Sequence, residues 1–326
     1  MNRNKIIKII CAVILFIIII AIGIFSYNKI NTKNELKEII VKEKVSPLLY
    51  EVTKDGSSNK IYLFGSIHVA NTSKTEFPKY IIDAYNNSSY LACEFNVVEY
   101  EKNSEKVLTD AIKMMYQDGT TIKDHLNSKT YEKLVNFLTK KKKYTEIYDN
   151  YKPLFFESLL SLQIAEDAQI NSNEGIDTYF LNKAIEDNKN ILEVESSDFQ
   201  MNLSMSFPDR IYEIMFDETI DEYDNEVKAL NDLYKSWTTG NKDEILKLID
   251  DEIDEKKDYS KEDIKIIRDY NKKMVDERNE NMTDKAIEYF NSNKNVFYMV
   301  GTAHIIGKTG LVNSLQDKGY TVKQVN

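Results

Sequence analysis

The chain has 326 residues, 29% of them charged, a formal net charge of −10, and only three histidines, two cysteines, four prolines and ten glycines. Two cysteines exclude a disulfide scaffold and a four-cysteine zinc site. The acidic balance excludes general nucleic-acid binding, which needs Lys and Arg clustered against phosphates. What remains is a globular chain of one large domain or two small ones, whose histidine chemistry must use His68, His125 or His304.

Residues 9–27 carry no charge and are mostly Ile, Val, Leu, Phe and Ala. That length is close to the ~20 residues that cross a bilayer core as a helix. Arg3, Lys5 and Lys8 precede the run, which predicts a cytoplasmic flank at 1–8 and an extracytoplasmic remainder. A cleaved signal peptide would end in a small-x-small site, but Ala21-Ile22-Gly23 lies inside the apolar run. The expectation is therefore a retained single-pass anchor in the cell membrane, followed by a polar stalk over 28–45.

Two β-rich runs, 48–53 and 60–67, flank a Gly/Ser/Asn cluster and predict a hairpin. Residues 77–86 read as a short helix and 89–95 as a buried strand. Apolar residues at three-to-four spacing predict helices over 105–116, 128–142, 154–168 and 175–187. A strand follows at 190–195, then helices over 208–237 and 242–250. The acidic stretch 250–263 reads as a solvated surface, and Lys140 to Lys143 as a helix end in water. The last unit is helix 264–291, strand 296–302, helix 309–318 and strand 320–325. Strands at both ends around a helical middle predict an α/β fold: a central mixed β-sheet built from N- and C-terminal strands over 46–326, with a helical insertion over about 100–290.

Two of the three histidines share one setting. Tyr62-Leu63-Phe64-Gly65-Ser66-Ile67-His68 and Tyr298-Met299-Val300-Gly301-Thr302-Ala303-His304 are both apolar strands running into G-x-x-H. Gly permits close backbone approach, strand ends are where open α/β sheets bind ligands, and two imidazoles there suit one metal ion. The plainer reading is a pair of hydrogen-bonded core histidines. Glu94, ending the apolar run 91–95, is costly to bury unless paired or metal-bound. Glu195 ends 191–195 similarly; Glu193 and Glu195 share a face by strand alternation, so either could face water. Arg278 is one of only four arginines and falls in the stripe Ile267, Asn271, Met274, Arg278, Met282, Ala286. A guanidinium there needs an anionic partner: Glu94, Glu195 or a substrate oxyanion. Gly307-Lys308-Thr309 imitates a phosphate loop, but five residues rather than four separate Gly301 from Gly307, so no nucleotide is expected. His125 lacks the motif and reads as structural or exposed.

These residues resemble a family. Pro47-Leu48-Leu49-Tyr50-Glu51-Val52, then 62–69 and 91–95, are similar to the opening of the TraB/GumN family, which includes the Tiki metalloproteases. Lys152-Pro153, Gly175-Ile176-Asp177, Leu192-Glu193-Val194-Glu195, Glu277-Arg278-Asn279 and Val300-Gly301-Thr302-Ala303-His304 continue the likeness in order. The acidic helical region over 217–263 carries little of it. The resemblance implies a sheet-centred fold related to erythromycin-esterase-like and ChaN-like domains, with a site at His68, His304, Glu94 and Arg278. It also implies metal-dependent hydrolysis of peptides.

The resulting expectation is a membrane-anchored hydrolase acting on an extracellular peptide or protein. His68, His304 and Glu94 would hold a divalent Mn, Co, Fe or Zn, and Glu94, Arg278 and Glu195 would serve catalysis. The alternative is a peptide-binding module of the same fold without turnover, as in branches associated with shutdown of peptide-pheromone response.

Overall fold

A computed structural model describes residues 42–171, 175–249 and 259–325. The expected anchor at 9–27 and all but the end of the expected stalk lie outside the described residues, among which no helix is long and apolar enough to cross a membrane.

In chain order the described strands are β1 (Glu43–Lys44), β2 (Leu49–Thr53), β3 (Ile61–Ser66), β4 (Thr75–Glu76), β5 (Tyr90–Cys93), β6 (Asn190–Glu193), β7 (Val296–Gly301) and β8 (Thr321–Gln324). β1 and β4 form a short parallel pair. The other six form one mixed sheet in the order β6-β5-β7-β3-β2-β8. β2 and β3 are the expected antiparallel hairpin. At the centre, β3 and β7 pair in parallel from Ile61↔Val296 to Ser66↔Gly301, so opposite ends of the chain meet.

Strand alternation sends successive side chains to opposite faces, and here both faces are dry. Leu63, Val296, Tyr298 and Val300 enter one core, while Phe64, Phe297 and Met299 enter the other. This is why the central strands read as unbroken apolar runs. Phe180 joins Phe64 and Phe297 with centroid distances of 5.4 and 5.1 Å.

The helical middle departs from the periodicity in several places. The expected helix over 208–237 is two helices, Asp209–Asp221 and Tyr223–Thr238, broken where Glu222 leaves helical dihedrals. The expected helix over 264–291 is Lys261–Asn271, a π turn Lys272–Asp276, and Glu277–Asn291. A strict four-residue step drifts by about 40° per turn on a 3.6-residue helix, and the wider π turn takes up part of that drift. The strands predicted to 95 and 195 end at Cys93 and Glu193, and helices Val97–Lys102 and Ser197–Met205 begin soon after. Within the acidic stretch, residues 250–258 lie outside the described residues. Asp263 is buried rather than solvated, because it caps its helix with Ser260 and takes Arg210 at 2.7 and 3.0 Å.

Helix Pro153–Asp167 is buried nearly all round. Within it Glu157 is 4% exposed, and neither carboxyl oxygen has a partner. Burial holds its pKa well above the ordinary 4.5. A raised carboxyl is neutral in both states at low pH, while at higher pH the unfolded chain ionises first, so stability falls as pH rises above about 4.5. Glu157→Gln removes this slope, worth about 1.4 kcal/mol per pH unit. Melting curves from pH 4 to 7 are expected to show the variant gaining on the wild type as pH rises; parallel curves would refute the assignment.

Candidate functional site

The sheet gathers the expected residues at the C-terminal ends of β3, β5, β6 and β7. Backbone pairing continues past β5 and β6 through Glu195 N–H donating to Glu94 O at 2.8 Å, which sets these two glutamates side by side. Arg278, from the first turn of Glu277–Asn291, closes onto both. Its Nη2 donates to Glu94 Oε2 at 2.7 Å and to Glu195 Oε2 at 2.8 Å, and its Nε donates to Glu195 Oε1 at 2.8 Å. Gln200 Nε2 bridges the same two carboxylates at 2.9 and 2.7 Å. The side chains of Arg278, Glu94 and Glu195 are 2%, 2% and 4% exposed. Glu193 does not share the fate of Glu195: alternation ends with the strand, and Glu193 Oε1 accepts from Asn96 N–H.

Burial alone would raise the Glu94 pKa, but Arg278 leads a set of opposing contacts, with His304, His68 and the Gly301 N–H, that holds it down to about 2. Glu94 is therefore ionised in a dry site. For Arg278, burial weakens the cation while Glu195 and Glu94 more than restore it.

The two G-x-x-H motifs are alike in letters and unlike in structure. Gly65 lies inside β3, where an added methyl would meet Thr302 Oγ1 at 2.7 Å. Gly301 pairs with Ser66, one step out of register with that motif. His68 follows β3 in an irregular segment, whereas His304 sits on the short helix Thr302–Ile305. Even so, the two rings converge. A methyl on Gly301 would lie 3.4 Å from Glu94 Oε1, 3.6 Å from His304 Cδ2 and 3.7 Å from His68 Nε2. Gly301 N–H donates to Glu94 Oε1 at 2.9 Å.

Each ring is held through Nδ1. His68 Nδ1 donates to Asp177 Oδ2 at 3.0 Å, and Ser66 Oγ donates to the other oxygen of that carboxylate at 2.8 Å. His304 Nδ1 donates to Asn279 Oδ1 at 2.6 Å. A relay fixes that amide: Asp276 accepts from Thr309 Oγ1 at 2.7 Å, which accepts from Asn279 Nδ2 at 3.2 Å. A carboxylate at the end of the relay can only accept, so every donor along it is directed and His304 carries its proton on Nδ1. Burial first, then Arg278, lowers the His304 pKa to about 3. For His68, burial acts downward, but Asp177 leads the groups that raise its pKa overall.

Sequence reasoning placed Glu94, Glu195, Arg278, His68 and His304 together, and they are together. It assigned no role to Asp177 and Asn279, although both lay within the matched Gly175-Ile176-Asp177 and Glu277-Arg278-Asn279. Thr309 looked like the end of a false phosphate loop. Nothing in the sequence pointed to Gln200. Cys93 aims its sulfur at Leu192 O, 3.7 Å away. His125 lies elsewhere, stacked on Tyr116 at 4.1 Å and bonded to Asp209. Among the described residues, no three His, Cys, Asp or Glu side chains stand ready to hold a metal ion; Glu94 is drawn onto Arg278, Gln200 and Gly301 instead.

Arg278→Met would leave two buried carboxylates facing each other, at a cost of about 3–5 kcal/mol, and thermal melting is expected to show a large loss. Thr309→Val frees the Asn279 amide to rotate, so imidazole nitrogen shifts of His304 are expected to show a mixed tautomer. Thr309→Ser keeps the wild-type shifts; an unchanged valine variant would refute the relay.

No curated protein and no solved structure matches the chain. A sequence model of the TraB/PrgY/gumN family matches residues 48–324, from β2 to the end of β8. The chain belongs to the TraB/PrgY/gumN family.

Proposed function

We propose that this protein is a metal-dependent hydrolase of peptides. The observation that carries the reading is the convergence of two imidazoles, each anchored through Nδ1, on an ionised, buried Glu94. Anchoring through Nδ1 leaves Nε2 of each ring as the atom to ligate, the arrangement that metal-binding histidines need, and His68 Nε2 and His304 Cδ2 lie 3.7 and 3.6 Å from the point a methyl on Gly301 would occupy. A ligating imidazole is neutral, so with both histidines on the ion, Glu94, Glu195 and Asp177 against Arg278 leave a formal charge of −2, which a divalent cation balances. The nitrogen and oxygen donors suit Mn, Co, Fe or Zn.

His68 and His304 would hold the ion through Nε2. Glu94 Oε1, with one lone pair beyond its bond from Gly301, stands beside them as third ligand or as base toward water. Such an ion supplies a polarised carbonyl and a more acidic bound water. Arg278 has its Nε and Nη2 committed to Glu94 and Glu195, so its part is to orient and keep ionised the carboxylate beside the histidines. The peptide substrate follows from the resemblance to the Tiki branch. The charge-free run 9–27, flanked by Arg3, Lys5 and Lys8, supports placing the site outside the cell membrane on a single-pass anchor.

A second reading has its own support. Both Glu94 oxygens are already engaged, which suits a module that captures a peptide without cleaving it. Metal analysis of the purified protein and mass spectrometry of peptide mixtures separate the two. His68→Ala and His304→Ala are each expected to lose bound metal, and chelator is expected to stop product formation. Unchanged metal content in both variants would sink the hydrolase reading, and chelator-insensitive binding without product would favour capture.

A further inference from the structure

The space in front of the histidines has a second wall. His68, His304, Gly301 and Thr302 line one side of a pocket whose empty volume, mouth included, is about 610 Å³. Leu230, Leu233, Tyr234 and Ile249 line the other side. They come from helices Tyr223–Thr238 and Lys242–Ile249. Among the described residues, the lining holds no Asp, Glu, Lys or Arg side chain. Its polar groups all sit at the sheet end, beside the histidines, apart from the Tyr234 hydroxyl.

This wall is held at a set distance from the site. Trp237, 1% exposed, packs edge-on against Phe64 with centroids 6.4 Å apart. Its indole N–H donates to Gly65 O at 2.8 Å, within the first G-x-x-H motif. Leu233 lies one turn before Trp237 and Leu230 two turns before it, so the helix that is pinned to β3 presents both to the pocket. Leu233 and Ile249 pack with one core, Leu230 with another; the wall is the seam between them.

We propose that Leu230, Leu233 and Ile249 form a specificity subsite that takes an aliphatic side chain of the bound peptide, in the residue adjoining the bond presented to the histidines. The inference rests on the reading of the site as peptide-binding. A charged side chain packed against Leu230, Leu233 and Ile249 would leave its hydration with no opposite charge in the wall among the described residues, and a small polar one would leave the wall wet. An aliphatic one removes apolar surface on both partners.

The test uses the full chain in detergent and end-blocked, fluorescein-labelled hexapeptides that differ only in one central residue: Leu, Ser, Lys or Asp. Anisotropy titrations are expected to show the Leu peptide binding about tenfold or more tighter than the other three. Leu233→Ala is expected to weaken Leu-peptide binding and narrow its preference over Ser, and Ile249→Asp to abolish the preference and admit Lys. Circular dichroism identifies any variant that fails to fold, in which case the other decides. Equal affinities across the wild-type series, no binding of any peptide, or an unchanged preference in a folded variant would overturn the proposal. Mass spectrometry of the same samples keeps the two readings apart: an aliphatic preference without product removes the hydrolase and leaves the subsite, whereas product without the preference does the reverse.

Discussion

The Arg278 guanidinium, locked between Glu94 and Glu195 with almost no exposure, is the contact on which the surrounding architecture depends. Desolvating three charges is expensive and is offset only if every polar atom is satisfied. Four chain segments meet that demand: the ends of β5 and β6, the helix carrying Gln200, and the helix carrying Arg278. A π turn lies just before Arg278, and Met274 and Arg278 are both buried.

One positive charge against two negatives leaves an excess that the site does not waste. Glu94 faces Arg278 and Gln200 on one oxygen and Gly301 on the other, within reach of both imidazoles. The histidines are oriented from behind, His68 by Asp177 and His304 by a relay ending at Asp276. A site built this way has little freedom to reorganise, since each ring has one tautomer and the carboxylate one protonation state. Preorganised dipoles of this kind act on a reacting group without first having to turn.

The division of labour within the fold follows the chain. Parallel strands near the middle of the sheet, buried on both faces, position the glutamates and histidines. Helices packed across the site supply the apolar wall, tied to the sheet through Trp237 and Gly65. A wall of this kind can change its side chains without disturbing the ion pairs, because the two sets of residues do not touch the same hydrogen bonds.

Periodicity, the repeated G-x-x-H and the misplaced arginine were enough to identify a mixed sheet joining both chain ends and to name His68, His304, Glu94, Glu195 and Arg278 as neighbours. Each signal is local: an apolar strand, a rare residue, a charge where a stripe should be greasy. The partners that orient these groups could not be read the same way. Asp177, Gln200, Asn279 and Thr309 are ordinary polar residues with no anomaly in their own neighbourhoods, and a hydrogen bond between residues 25 to 109 positions apart leaves no trace in either one's surroundings. The burial of Asp263 against Arg210, 53 positions away, shares that cause. The sequence by itself determined which residues are too costly to leave unpaired. Only the tertiary structure decided with whom they pair, because direction and distance across the core belong to the packed chain and not to any segment of it.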